Sequence, residues 1–170
     1  MILYRQRSSI KGATQLPSML ATLFQRSLET SGYDTWMDKK DLSVTTQGLK
    51  DTINYQMREM EMAILFMGVG DLERCSDEGD FFRWEIDRVR ELEEEGVLRV
   101  VVIVHGTAEV EDLICGTSSV VKRRQSVLAS VGIWGKDLLE YLRTHYVIFF
   151  DIDDLDTDVD KIIAKFNEGL

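Results

Sequence analysis

The sequence predicts a three-layer α/β fold of the flavodoxin-like type, with a five-stranded parallel sheet in the order 2-1-3-4-5 and helices on both faces. Two near-continuous apolar runs, at residues 62–67 and 97–104, are typical of central parallel strands that are covered on both faces. Strand-like and helix-like segments alternate five times, and each right-handed crossover must place its helix against the sheet. A parallel sheet between two helical layers follows from this alternation.

The first half of the chain contains two of the predicted strands. Residues 2–4 are apolar and predict a short first strand. Apolar residues at intervals of three and four over 16–28 predict an amphipathic helix, with Gly32 just past its end. Residues 33–37 are β-prone and predict the second strand. A second helix is expected to begin near Gln47, after a polar loop.

The second half supplies the remaining strands. The run at 62–67 predicts the third strand, and apolar residues at helical spacing from 82 to 92 predict the helix that leads to the fourth. Residues 145–150 predict the fifth strand and 159–166 a last amphipathic helix. Residues 107–135 mix acidic, small and basic residues, which indicates an irregular helix and a loop.

Size and charge limit the possible classes of protein. A chain of 170 residues with 44% hydrophobic content is long enough for one domain with a buried core and too short for two, so residues 1–170 are expected to form a single domain. Residues 1–50 hold seven Lys and Arg against four Asp and Glu, and the rest of the chain carries a net charge of −13. This acidic part argues against a nucleic-acid partner.

The cysteines and the apolar segments point to an intracellular protein. Cys75 and Cys115 are far apart and lack metal-ligand spacing, so neither a zinc cluster nor a disulfide framework is expected. The sequence shows no apolar stretch long enough to cross a bilayer and no signal-peptide pattern. We therefore expect a cytoplasmic protein that does not bind membranes.

The most informative segment runs from Asp71 to Ile86. A short polar loop follows an apolar strand and delivers a carboxylate, Glu85, into a helix rich in aromatic residues. Phe81 lies four residues before Glu85, a spacing that puts both side chains on one face of a helix. An aromatic plane and a carboxylate would then border the same pocket, beside the carboxyl ends of the first and third strands.

The order of these motifs resembles that of Toll/interleukin-1 receptor (TIR) domains, especially the bacterial-type TIR proteins that cleave NAD+. The likeness covers nearly the whole chain. It includes Ile-Leu-Tyr-Arg at 2–5, Gly-Tyr-Asp-Thr-Trp-Met-Asp at 32–38, Asp-Leu at 41–42 and the loop-to-helix motif at 72–86. The second loop, residues 42–48, lacks the Pro-Gly turn that is usual in the family.

The resemblance implies an NAD+ glycohydrolase (NADase) in immune or cell-death signalling, with a linear, cyclic or base-exchanged ADP-ribose product. The family's catalytic Glu falls on Glu85, and Phe81 stands where the family commonly has Trp. The other expected substrate-binding residues are Tyr4, Arg5, Trp36 and Asp41. NAD+ is the substrate, and neither a cofactor nor a metal is implied.

The chemistry of this reaction needs few groups. Cleavage of a cationic N-glycosidic bond builds positive charge on the ribose, which a nearby carboxylate stabilises. The leaving group is neutral nicotinamide, so no general acid is needed. A single Glu beside an aromatic ring could therefore be sufficient.

Three alternatives accompany this hypothesis. A non-catalytic interaction module would use the second loop and neighbouring helices to assemble with itself or with other TIR domains. A nucleoside deoxyribosyltransferase-like enzyme would also combine a related sheet with a catalytic Glu. Individual residues have plainer explanations as well: Glu85 as a solvated helix acid, Arg5 as an ion-pair partner, and Trp36 as a core residue.

Overall fold

The computed structural model describes residues 1–4, 16–37, 46–68, 71, 75, 77–106, 132–145, 147–151, 164 and 168. Strands and helices alternate along them. The strands are β1 (Ile2–Tyr4), β2 (Met62–Met67), β3 (Arg99–Gly106) and β4 (Val147–Asp151). The helices are α1 (Leu16–Thr30), α2 (Thr46–Glu59), α3 (Phe81–Glu94) and α4 (Gly132–Arg143). Most of the predicted last helix at 159–166 and most of the 107–135 segment lie outside the described residues.

The four strands form one parallel sheet in the order β1-β2-β3-β4. Tyr4 is opposite Phe66 in the register of β1 and β2. On the other side of β1, Ile2 forms an isolated parallel bridge with Met37, and its amide donates to the carbonyl oxygen of Trp36 at 2.9 Å. The chain at Met37 therefore stands where the second strand was expected, and the predicted fold class and strand order are confirmed.

The second strand itself is shorter than predicted. The sequence predicted a strand over 33–37, but the structure has only the single bridge at Met37. Tyr33 and Asp34 are exposed, and Thr35 donates its hydroxyl hydrogen to Oε1 of Glu29 on α1 at 2.7 Å. Because little apolar surface is buried here and one side chain bonds to the helix, the ladder does not extend.

Two apolar clusters cover the two faces of the sheet. Alternate strand residues such as Ile2, Phe66 and Ile103 pack with α1. Their neighbours along the strands, such as Leu3 and Val102, pack with α2, α3 and α4 on the opposite face. This alternation follows from the two-residue period of a strand. Within the described helices, no stretch combines the length and apolar character that a bilayer-spanning segment needs.

The connection between α3 and β3 explains a shift in one strand boundary. Gly96 has a φ of +72°, a conformation that favours glycine, and the amide of Val97 donates to the carbonyl oxygen of Leu92 at 2.9 Å. Val97 thus belongs to the turn that ends the helix. For this reason β3 begins at Arg99, although the apolar run predicted a strand from residue 97.

Candidate functional site

The candidate site lies at the carboxyl edge of the sheet. In a parallel sheet with crossover helices, each helix begins at the edge where the preceding strand ends. The ends of β1 and β2 and the first turns of α2 and α3 therefore share one edge. This is the edge at which ligands usually bind in open α/β sheets.

An aspartate fixes the start of α3. Asp80 is the N-cap residue, and its Oδ1 accepts a hydrogen bond from the amide of Arg83 at 3.0 Å. The same oxygen lies 3.8 Å from the Cys75 thiol, and the Arg83 guanidinium donates to the Cys75 carbonyl oxygen at 3.5 Å. These contacts attach the preceding loop to the first turn of the helix and so set the position of Glu85, one turn further on.

Glu85 is a buried carboxylate. Its relative exposure is 5%, and the other buried residues of α3 are all apolar: Phe82, Ile86, Val89 and Leu92. The helix packs on β1 and β3 through this face. Because ionised carboxylates are rarely buried without a specific role or partner, Glu85 differs from the many exposed acids of the chain.

An aromatic group lies beside Glu85 on α3. Phe81 is half-buried and packs against the apolar cluster on the α3 side of the sheet. Its ring centroid is 5.3 Å from that of Trp84, with the planes tilted by 47°. The ammonium of Lys50 on α2 is 4.9 Å from the centroid of the Trp84 ring. Two aromatic rings and a cation therefore flank the turn that carries Glu85.

The other predicted binding residues divide between the two faces of the sheet. Trp36 is half-buried and packs against the same cluster as Phe81. Tyr4 is also half-buried, but it packs with the cluster on the α1 side. Arg5 and Asp41 lie outside the described residues. Of the predicted set, Trp36, Phe81 and Glu85 thus belong to the α3 side of the sheet.

Sequence reasoning did not identify Asp71 as a residue of this edge. Asp71 is buried, and its Oδ2 accepts a hydrogen bond from the amide of Gly68 at 2.7 Å. Its carbonyl oxygen accepts from the amide of Cys75 at 2.9 Å. Asp71 therefore organises the turn after β2. An Asp that follows a strand and a Gly is a common turn signal, and an Asp directly before a helix is a common N-cap signal. The sequence near Asp71 and Asp80 therefore contained both signals.

His105 lies at the carboxyl end of β3. It is 7% exposed and stacks on Phe66, with ring centroids 5.4 Å apart. Burial lowers the pKa of His105 to about 4, so the ring is neutral at pH 7. Within the described part of the chain, its Nε2 has no hydrogen-bond partner. It lies on the α1 side of the sheet, across from Glu85.

A second polar cluster lies where α3 and α4 end. Glu93 accepts hydrogen bonds from the Tyr141 hydroxyl at 2.5 Å and from Nε2 of His145 at 2.8 Å. Burial, followed by the bond to Glu93, raises the pKa of Tyr141. The amide of His145 donates to the carbonyl oxygen of Leu142 at 3.2 Å, which keeps His145 in the turn after α4, and β4 begins at Val147 and not at residue 145 as predicted. Glu85 lies in the second turn of α3, whereas this cluster lies at the other end of that helix.

Neither a family model nor a curated protein sequence matches the chain. A search of solved structures does find similar folds. One is the TIR domains in the structure of the activated Roq1 resistosome directly recognizing the pathogen effector XopQ, with a TM-score of 0.58 and 15% sequence identity over 98% of this chain and 95% of that one. The chain therefore has the fold of a TIR domain.

Proposed function

We propose that this protein is an NAD+ glycohydrolase that cleaves the nicotinamide–ribose bond, with Glu85 as its catalytic carboxylate. The observation that carries the proposal is the 5% exposure of Glu85 on the inward face of α3, one turn after Phe81 and at the carboxyl edge of the sheet. The TIR fold supports this proposal. The sequence motifs resemble those of TIR domains, and the backbone is similar to that of a solved TIR domain.

The burial of Glu85 argues against its plainer explanation. A solvated helix acid would be exposed, as Glu91 and Glu94 of the same helix are. Moving a carboxylate out of water costs several kcal/mol, about the size of a typical protein's net stability. A buried carboxyl group at an edge where ligands bind is a candidate functional residue.

The proposed mechanism assigns one task to each group. Phe81 stacks on a ring of the dinucleotide and holds it beside α3. The Glu85 carboxylate faces the ribose and stabilises the positive charge that develops as the glycosidic bond breaks. Nicotinamide leaves as a neutral molecule, and water completes the hydrolysis to ADP-ribose. Attack by a group of the substrate itself would give a cyclic product.

We further propose that the protein acts in the cytoplasm and associates with itself or with other TIR domains in immune or cell-death signalling. One similar solved structure is that of the TIR domains of an activated resistosome. The same observation favours the second candidate function, a non-catalytic TIR module that assembles without cleaving NAD+. Both candidates require association, and only the first requires turnover.

Nicotinamide release at increasing protein concentration distinguishes the two candidates. Purified protein is incubated with NAD+ over a wide concentration range, and its association is followed by light scattering in the same samples. The hydrolase predicts nicotinamide release that rises more steeply than protein concentration if assembly completes the site. Association without any release would contradict the hydrolase and support the interaction module. Turnover of deoxynucleosides but not NAD+ would support a deoxyribosyltransferase instead.

A further inference from the structure

Lys50 differs from the other cations of α2 and α3 in its surroundings. Each of the others pairs with a carboxylate: Arg58 with Glu95 at 3.2 Å, Arg83 with Asp87 at 3.7 Å, Arg88 with Glu91 at 2.5 Å, and Arg90 with Asp137 at 2.8 Å. Lys50 has no carboxylate within 4.0 Å among the described residues and lies over the Trp84 ring instead. No acid of the described segments therefore neutralises its positive charge.

The position of Lys50 connects it to the candidate site. It lies in the first turns of α2, which begin at the carboxyl edge of the sheet. The Trp84 ring below it contacts Phe81, and Trp84 directly precedes the buried Glu85. The Lys50 ammonium, the two rings and the carboxylate thus occupy adjacent turns of two packed helices.

We propose that Lys50 binds the diphosphate of the dinucleotide substrate while the ring of that substrate stacks on Phe81. The identity of the ligand rests on the proposed function. The ammonium of lysine presents three donors on a flexible stem, which suits a phosphate oxygen whose position shifts as the substrate settles. The contact with Trp84 holds the ammonium near the site and leaves its charge available to an anion.

The negative charge of the chain makes a compensating cation important for phosphate binding. The chain has a net charge of −10, and the catalytic group proposed for it is itself a carboxylate. A phosphate group entering such a site meets repulsion at short range unless a cation compensates it. The arginines of α2 and α3 are engaged by carboxylates, whereas Lys50 has no carboxylate partner within the described part of the chain and can compensate a phosphate.

The experiment measures ligand affinity separately from turnover. Two ligands are titrated by calorimetry: NAD+, and nicotinamide riboside, which has the same nicotinamide ring and ribose but no phosphate. The titrated proteins all carry Glu85→Gln, and they have either Lys50, Lys50→Gln or Lys50→Met. We expect the loss of Lys50 to weaken NAD+ binding by roughly tenfold, the size of one charge-assisted hydrogen bond, and to leave nicotinamide riboside binding unchanged. Lys50→Arg should retain most of the NAD+ affinity.

Arg99→Gln is the matched control, because it removes one exposed positive charge at the start of β3, at the opposite edge of the sheet. Three results would each overturn the phosphate contact. The NAD+ affinity could be the same with and without Lys50, the Lys50 variants could lose as much affinity for nicotinamide riboside as for NAD+, or Arg99→Gln could lose as much NAD+ affinity as the Lys50 variants. Absence of any NAD+ binding would overturn it together with the hydrolase. Binding that depends on Lys50 in a protein that releases no nicotinamide would overturn the hydrolase alone.

Discussion

Gly68 and His105 are in contact across the carboxyl ends of β2 and β3, and the contact leaves no room for a side chain at residue 68. A Cβ atom built on Gly68 would lie 2.8 Å from Cε1 of His105, closer than such atoms are found. The His105 ring is buried and stacked on Phe66, so it has little freedom to move away. The Gly68 amide also bonds to Asp71, so Gly68 is held both by this bond and by its contact with His105.

Gly68→Ala should destabilise the protein by about 1 to 3 kcal/mol, the usual cost of overpacking a closed site. Urea denaturation of the purified variant measures the free energy of unfolding. In a double-mutant cycle, most of the cost should vanish when His105 is also changed to Ala, because the two residues would no longer collide. Additive effects of the two changes would contradict the contact as described.

The buried His105 should make stability depend on pH. Its pKa falls from 6.5 in the unfolded chain to about 4 in the folded protein, so the unfolded state binds more protons between these values. The stability contributed by neutral His105 is complete above about pH 6.5 and is lost as the pH falls toward 4. From this group alone we expect about 2 kcal/mol less stability at pH 5 than at pH 7.

His105→Phe tests this pH effect, because phenylalanine keeps an aromatic ring over Phe66 and removes the titrating group. The difference in unfolding free energy between pH 5 and pH 7 should shrink in the variant by about the same 2 kcal/mol. The variant also removes a buried nitrogen that has no partner among the described residues, so it should be at least as stable as the parent at pH 7. An unchanged pH dependence would show that His105 is not the responsible group.

The N-cap of α3 should contribute measurably to stability. Asp80→Ala removes the acceptor of the Arg83 amide and should cost about 1 kcal/mol. Asp80→Asn keeps a capping oxygen and should lower the free energy of unfolding by only about a few tenths of a kcal/mol. Chemical denaturation of both variants separates the cap from a general effect of substitution at this site. Equal losses in the two variants would argue against the capping role.

Trp134 joins α4 to α3 and should stabilise the packing of the helix that carries Glu85. Its indole Nε1 donates to Oδ1 of Asp87 at 2.8 Å, and the Arg83 guanidinium lies 5.0 Å from the ring centroid. Trp134→Phe keeps an aromatic surface but loses the donor, so we expect the free energy of unfolding to fall by about 1 kcal/mol, measured by thermal or chemical denaturation. Asp87→Asn keeps the acceptor and loses only the charge that faces Arg83 at 3.7 Å. A Trp134→Phe protein as stable as the parent would contradict this explanation.

Local patterns predicted much of the fold. The apolar runs predicted the central strands, and the helical spacing of Phe82, Ile86 and Val89 predicted the buried face of α3, because burial of these residues is what forms the elements. Boundaries were less accurate where side chains bond across elements. Thr35 bonds to α1 and His145 to Glu93, and neither pairing has a local signal.

Sequence patterns indicated part of the geometry around Glu85. The four-residue spacing of Phe81 and Glu85 indicated a shared face from local geometry alone. Tyr4 and Trp36 lie on opposite faces of the sheet because successive strand residues point to opposite faces. The face on which a given residue lies is known only once the register of the strands is known. The Lys50–Trp84 contact joins two helices that meet only in the folded protein, so no sequence pattern could have indicated it.

The most direct test of the account compares Glu85→Gln with Glu94→Gln in nicotinamide release from NAD+. Both changes remove one carboxylate from α3, but Glu85 is buried at the candidate site and Glu94 is exposed at the far end of the helix. We predict that Glu85→Gln lowers the rate by at least about 100-fold while Glu94→Gln leaves it unchanged, with both variants folded. Equal rates in the two variants would contradict the catalytic role of Glu85.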